Sequence, residues 1–299
     1  MKELISLTLL SILSTTLLSQ TPSQAQLTEH VDIPYVDETS AERDTLRRLN
    51  LVLPSGDVNT PLLIWIGGGA WSYVDKDQEM DLCRQFAHQG IAVASIGQRL
   101  SPATWKDPSL AVGIQHPKHA EDVAAAIRWL YDHAGQYGYD EEKLFIGGYS
   151  SGGHLSALLG LDNDYLSEVG LSTKVFKGLI CVSGTNDIID YYNTMANGRR
   201  PELAQLHVEA VFGAGTKVFK EASPVSYLAN LSAPVLLMSD GDLLNYSSLF
   251  EDSIRSAGFE DLDVVYTHHL SHAELWRSLS HEDDSPYRQF ITRFIQIHS

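Results

Sequence analysis

The chain has 299 residues, room for one large α/β domain or two small ones, and a composition ordinary for a soluble globular protein. Its 38 Asp and Glu against 21 Lys and Arg give a net charge of −17, which argues against nucleic acid and anionic lipid head groups as partners. The acidity favours solubility and names no partner of its own.

In chain order, residues 1–25 stand apart. Lys2 gives a thin positive start, Ile5 to Leu18 is mostly apolar, and Ser23-Gln24-Ala25 puts small residues where a signal peptidase reads. Glu3 runs against the charge rule, but the apolar run is short for a bilayer span. The expectation is a signal peptide over 1–25 and a mature chain over 26–299, secreted or periplasmic, with no membrane segment after cleavage. Residues 27–44 are polar and read as an irregular lead-in. Leu49, Leu51 and Leu53 alternate with more polar positions up to Pro54-Ser55-Gly56, which predicts a half-exposed antiparallel strand. Leu62 to Ile66 is continuously apolar, a strand buried on both faces, and runs into Gly67-Gly68-Gly69.

Asp75 to Gln89 has a helical pattern, Ile91 to Ile96 is a buried strand, and 98–117 is a Pro-rich loop. His119 to Tyr137 is an amphipathic helix, with Val123, Ala124, Ile127, Leu130 and Tyr131 on one face. Leu179 to Val182, Val235 to Met238 and Leu262 to Tyr266 are further strands. Pro201 to Phe212, Tyr246 to Ala257 and Ser285 to Ile297 are helices, the last with Phe290, Ile291, Phe294 and Ile295 at core spacing. Strands alternating with helices predict a mostly parallel sheet covered on both faces, with 187–230 as a small cap insertion over the strands' carboxyl ends. Cys83 and Cys181 fall in a helix and a buried strand and read as unpaired core residues.

The stretch that carries chemistry is Lys143 to Leu155. An apolar run ends in Gly148-Tyr149-Ser150-Ser151-Gly152 and a helical pattern follows, a G-x-S-x-G at a strand-to-helix turn. The serine needs a strained backbone, and its glycines let strand and helix pass closely. A serine hydroxyl also needs a base, and the base a carboxylate to hold its tautomer. After the last strand come His268, His269 and His272; His272, where the chain turns, is favoured over His269. After the preceding strand come Asp240 and Asp242; Asp242, on the loop proper, is favoured and Asp240 stays open. The order Ser150, Asp242, His272 is that of α/β-hydrolases. Oxyanion donors are expected from the amide of Ser151 and from the loop Gly67-Gly68-Gly69-Ala70-Trp71, which fits neither phosphate-loop pattern.

With these residues in hand, the chain resembles the esterase and arylformamidase-like branch of the α/β-hydrolases, which includes bacterial feruloyl/acetyl-xylan esterase-like enzymes and kynurenine formamidases. Ile66 to Trp71 resembles I-H-G-G-A-W, Gln98 to Pro102 resembles Y-R-L-S-P, Gly148 to His154 resembles G-x-S-A-G-G-H, and Ala222-Ser223-Pro224 falls at A/S-S-P. Gly67, Gln98 and Ser151 stand where that branch has His, Tyr and Ala, and the acid region is one residue shorter than H-G-x-x-D. The resemblance implies an α/β-hydrolase fold with Ser150 as nucleophile, Asp242 as acid, His272 as base, and Gly69, Ala70 and Ser151 as oxyanion donors. It implies a serine esterase working through an acyl-enzyme without cofactor, on a small-molecule or polysaccharide-linked ester. An arylformamidase or an inactive hydrolase-like binding protein are the alternatives. No metal site is expected. His272-Ala273-Glu274 lacks a following P-C-x-x-C, and Asn245 occupies the glycine position of a calcium loop. The sequence names no oligomeric state.

Overall fold

The computed structural model describes residues 26–37, 45–56 and 59–299. The expected signal peptide lies outside the described residues. Among the described residues eight strands form one sheet: β1 (Thr28–Pro34), β2 (Arg48–Leu53), β3 (Thr60–Ile66), β4 (Ala92–Ile96), β5 (Tyr139–Tyr149), β6 (Phe176–Val182), β7 (Val235–Asp240) and β8 (Leu262–Thr267). Their order is β1-β2-β4-β3-β5-β6-β7-β8, with β1, β2 and β4 antiparallel in succession and the rest parallel. The helices are α1 (Met80–Ala87), α2 (Lys118–Tyr137), α3 (Ser151–Leu161), α4 (Asn163–Glu168), α5 (Ile188–Ala196), α6 (Ala210–Phe212), α7 (Thr216–Glu221), α8 (Leu244–Ser256), α9 (His272–His281) and α10 (Pro286–His298). This is the α/β-hydrolase architecture.

The period-two geometry of a strand splits the core. Leu62, Ile64 and Ile66 of β3 join α2, α3 and α8 on one face, while Leu63 and Trp65 join α1, α9 and α10 on the other. Continuous apolar runs therefore mark strands covered twice, each fully buried Leu or Ile contributing about 1.5–3 kcal/mol. Cys83 and Cys181 are buried and free.

Four local expectations are corrected. The lead-in contains β1, an exposed edge strand whose register shifts between His30 and Ile33, with Asp32 at φ 56; the bulge erases the alternation that would have revealed it. β2 is buried at all six positions because α2 covers one of its faces and α1 the other, and its polar Asn50 accepts from the Asp32 amide at 2.9 Å and donates to Asp77 at 2.6 Å. The helix expected over 201–212 is present over 202–212, but its middle, Ala204–Glu209, is wound as a π-helix before α6. Phe290 is 48% exposed, while Ile291, Phe294 and Ile295 are buried.

The parallel strands β3, β5, β6, β7 and β8 all end at one rim, at Ile66, Tyr149, Val182, Asp240 and Thr267. Ser150 follows β5 with φ 59 and ψ −119, and α3 begins at the next residue. A conformation of this kind costs about 1–3 kcal/mol and persists where its surroundings enforce it. Here the enforcing contact is backbone on backbone. A Cβ on Gly152 would sit 1.9 Å from the Ile66 carbonyl oxygen, and one on Gly148 would sit 2.4 Å from the Gly152 carbonyl. The Ser150 amide also donates to the Val182 carbonyl at 2.8 Å.

Gly152→Ala is therefore expected to leave the chain insoluble or to lower unfolding stability by at least about 3 kcal/mol. Gly135→Ala, within α2 and with open space around it, should instead raise stability by about 0.5–1 kcal/mol. Denaturant titration of the two variants checks both directions.

Candidate active site

Three side chains meet at the rim. His272 Nε2 lies 2.9 Å from Ser150 Oγ, and its Nδ1 lies 2.7 Å from Asp240 Oδ2. The residues belong to β5–α3, β7 and the first position of α9, so chain order and space agree. Asp240 is fully buried, and His272 keeps about a third of its side chain exposed. Ser271 caps α9 with a reciprocal Glu274 contact, which fixes the helix start and with it the imidazole.

The expected acid is corrected. Asp240, not Asp242, meets the ring. Asp240 Oδ1 accepts the amides of Asp242 at 2.9 Å and Leu243 at 3.0 Å, closing a tight turn, while Oδ2 accepts from His272 and, at 2.6 Å, from the Ser183 hydroxyl. The turn leads Asp242 past the ring, and its carboxylate takes the backbone N–H of His272 at 2.8 Å. Burial alone would push the Asp240 carboxyl upward; the hydrogen bonds from His272 and Ser183 outweigh it and hold the group below the ordinary carboxylate range. His269 is exposed and reaches only the Tyr287 hydroxyl at 3.3 Å, and His268 is exposed as well, so neither packs inward.

Tyr149 and Ser183 escaped the sequence reading. Tyr149 stacks its ring on His272, centroids 4.6 Å apart, and its hydroxyl donates to the His272 carbonyl. Its position beside the serine was the available signal. Ser183, buried at φ 51 just past β6, braces Asp240; nothing in its local sequence marks it.

The glycine loop runs against the serine. A Cβ on Gly68 would lie 3.3 Å from Ser150 Cβ, and Gly69, Ala70 and Trp71 all have positive φ, at 146, 49 and 58. The Gly69 carbonyl accepts the amides of Ser72 and Tyr73, both at 2.9 Å, which folds the loop back. The Trp71 indole donates to His154 Nδ1 at 3.2 Å, and His154 Nε2 donates to the Ala222 carbonyl at 2.8 Å. Burial depresses the His154 pKa to about 3, so this link is a neutral imidazole.

Two cavities open on Ser150 and His272. One, about 300 Å³, also has Ala70, Ser151 and Ser183 in its wall, with Trp71, Trp105, Tyr191 and His207. Among the described residues no carboxylate, Lys or Arg lines it, and burial depresses the His207 pKa to about 4. The other, about 430 Å³, is lined by Gly68, Gly69, Glu79, Asp242 and Trp276. Of the expected oxyanion residues, Ala70 and Ser151 thus line the first cavity and Gly69 the second. Among the described residues no group of three or more His, Cys, Asp or Glu could hold a metal ion.

Residues 49–243 match the BD-FAE family. Esterase LipC of Mycobacterium tuberculosis is 29% identical over 212 residues, 68% of this chain and 48% of LipC. Carboxylic ester hydrolase LipM of the same organism, described as probable, is 30% identical over 69% of this chain and 46% of its own. The chain thus spans about half the length of these relatives. Kynurenine formamidase of Danio rerio is 26% identical over 81% of this chain and 74% of its own. Among solved structures, esterase B from Lactobacillus rhamnosis superposes with a TM-score of 0.73 at 21% identity, covering 93% of this chain and 87% of that one, a likeness of fold.

Glu79 is 3% exposed, and burial raises its pKa to about 6 against the donors Trp65 and Trp276. A carboxyl raised above its unfolded value of 4.5 stabilises the fold while protonated, and that stability is lost as pH rises from 4.5 through 6. The gap is worth about 2 kcal/mol. The unfolding free energy of the wild type relative to Glu79→Gln should therefore fall by about 2 kcal/mol between pH 4 and pH 7. Urea titrations of both proteins at the two pH values check it; a difference that stays level refutes the sign.

Proposed function

The chain belongs to the BD-FAE family of α/β-hydrolases, and from that premise we propose that it is a serine esterase hydrolysing carboxylic esters through an acyl-enzyme. The observation that carries the proposal is the unbroken line from Ser150 Oγ through His272 to Asp240, with contacts of 2.9 and 2.7 Å. His272 takes the Ser150 proton as Oγ attacks the ester carbonyl. Asp240 holds the tautomer with Nε2 free to accept, and then stabilises the imidazolium. The alcohol leaves with the proton from His272, and water activated by the same ring releases the acid. Gly69, Ala70 and Ser151 amides are assigned to the oxyanion, with glycine and positive φ keeping side chains out of its way. The esterase names of the Mycobacterium relatives support the bond type. The uncharged first cavity favours a neutral acyl or alcohol group. The proposed substrate is an ester that is either a small molecule or linked to a polysaccharide, and residues 1–25 are assigned to export.

Hydrolysis of short-chain p-nitrophenyl esters tests the assignment. Ser150→Ala should lower kcat by at least about 10⁴-fold. Asp240→Asn should lower it by about 10³–10⁴-fold through the wrong tautomer. Asp242→Asn, which touches only the backbone of His272, should cost less than about tenfold. Equal rates for Ser150→Ala and wild type, or failure of a fluorophosphonate to label Ser150, removes the enzyme reading; a larger loss at Asp242 than at Asp240 removes the assignment of the acid.

The coverage of the Danio rerio formamidase, 81% of this chain, favours a second reading in which the scissile bond is an N-formyl amide. The same nucleophile serves both. Kinetics on N-formylkynurenine beside acetyl and feruloyl esters separates them, and a kcat/KM higher on the formamide by tenfold or more, about 1.4 kcal/mol, decides for it.

A further inference from the structure

We propose that Glu79 is a positioning residue that ties the glycine loop to the helix bearing His272, holding the oxyanion amides and the imidazole at a fixed separation. The inference rests on the esterase reading for its kinetic consequence, and on geometry for the tie itself. Glu79 closes the 3₁₀ turn Lys76–Glu79 just before α1. Its Oε2 accepts Trp65 Nε1 at 2.9 Å, and its Oε1 accepts Trp276 Nε1 at 3.2 Å. Trp65 lies on β3 just ahead of the glycine loop. Trp276 lies one turn after His272 on α9 and therefore on the same face. Each carboxylate oxygen thus holds one of the two elements that must stay in register across Ser150.

The space beside residue 67 gives a second, independent observation. A Cβ on Gly67 would lie 2.9 Å from Glu79 Oε1 and 3.0 Å from its Cγ. The loop's first residue is therefore a glycine with Glu79 standing in the volume its side chain would fill. The loop is supported from outside its own sequence, by a residue that also reaches α9. Glu79 further lines the second cavity with Gly69, Ser150 and His272, so a shift of its head group is felt at the reaction centre.

The chemistry of the pair is selective. Two indole N–H groups need two acceptors, and a carboxylate supplies both. A glutamine supplies one and turns its amide N–H toward the other indole, donor against donor. The charge is held by neutral donors alone, so its burial is costly, and the cost is offset only because an apolar residue would leave both indole N–H groups unpaired. A group kept at that cost, between the two halves of a candidate reaction centre, is explained by what it holds in place.

The test uses the full chain with active-site titration by a fluorophosphonate, so that rates refer to folded protein. Glu79→Gln should lower kcat on p-nitrophenyl acetate by on the order of 10- to 100-fold with KM within about threefold. Amide hydrogen exchange in 272–281 should quicken in the same variant. Gly67→Ala should lower kcat in the wild-type background and cost less when added to Glu79→Ala, because the truncated side chain vacates the volume the new methyl needs. Unchanged kcat in Glu79→Gln, a KM rise at constant kcat, or additive effects of the Gly67 and Glu79 changes overturns the proposal. A wild type without turnover sinks the esterase reading instead. The tie is then decided by exchange alone, and unchanged exchange in 272–281 overturns it.

Discussion

Everything at the rim depends on one backbone crossing, where the start of α3 passes over the end of β3 with no room for a methyl group between Gly152 and the Ile66 carbonyl. That contact forces the chain through Ser150 into a conformation ordinary residues avoid, and so lifts the hydroxyl clear of the sheet. It also sets the glycine loop, which leaves β3 at the same carbonyl, directly beside the serine. One steric constraint thus brings together the hydroxyl and the amides assigned to the oxyanion. The imidazole reaches them from β8 and α9, steadied by the ring and hydroxyl of Tyr149.

Asp240 shows how a short loop can serve two needs. A carboxylate at the end of a parallel strand has two oxygens and here uses both fully. One organises the turn into α8, and the other, shared with Ser183, faces the imidazole. The turn that Asp240 creates then delivers Asp242 to the backbone of His272. Two carboxylates two residues apart therefore hold the same histidine from different sides, one by its ring and one by its main chain.

How much of this was legible follows from the range of each interaction. Leu62 to Ile66, Leu144 to Ile146 and Val235 to Met238 announce themselves because burial on both faces leaves an unbroken apolar run. The turn at Ser150 is legible because its serine and glycines fall within five residues, although the carbonyl that forbids a methyl on Gly152 belongs to Ile66 on another strand. β1 was hidden because it sits at an exposed edge with a bulge at Asp32, so no periodicity survives. The choice between Asp240 and Asp242 was open because it depends on a turn whose cap is Asp240 itself, a circularity no spacing rule resolves. Ser183 and Glu79 were invisible for a different reason. Ser183 acts through Asp240, 57 residues away, and Glu79 reaches α9 through Trp276, 197 residues away, and local pattern carries no trace of such distances.

The two hollows flanking Ser150 have walls of different origin. Tyr191, Met195, Leu203 and His207 come from one continuous stretch of the chain, whereas the opposite hollow is bounded by the glycine loop, Glu79 and α9. That side of the first hollow belongs to none of the strands that hold Ser150, Asp240 or His272, while its other side is Ala70, Trp71, Ser151 and Ser183. Among the described residues, the 191–207 side touches that machinery only where Tyr191 and His207 pack on Trp71, so it has more liberty to drift than the second wall, which is made of the same parts that hold Ser150 and His272 still.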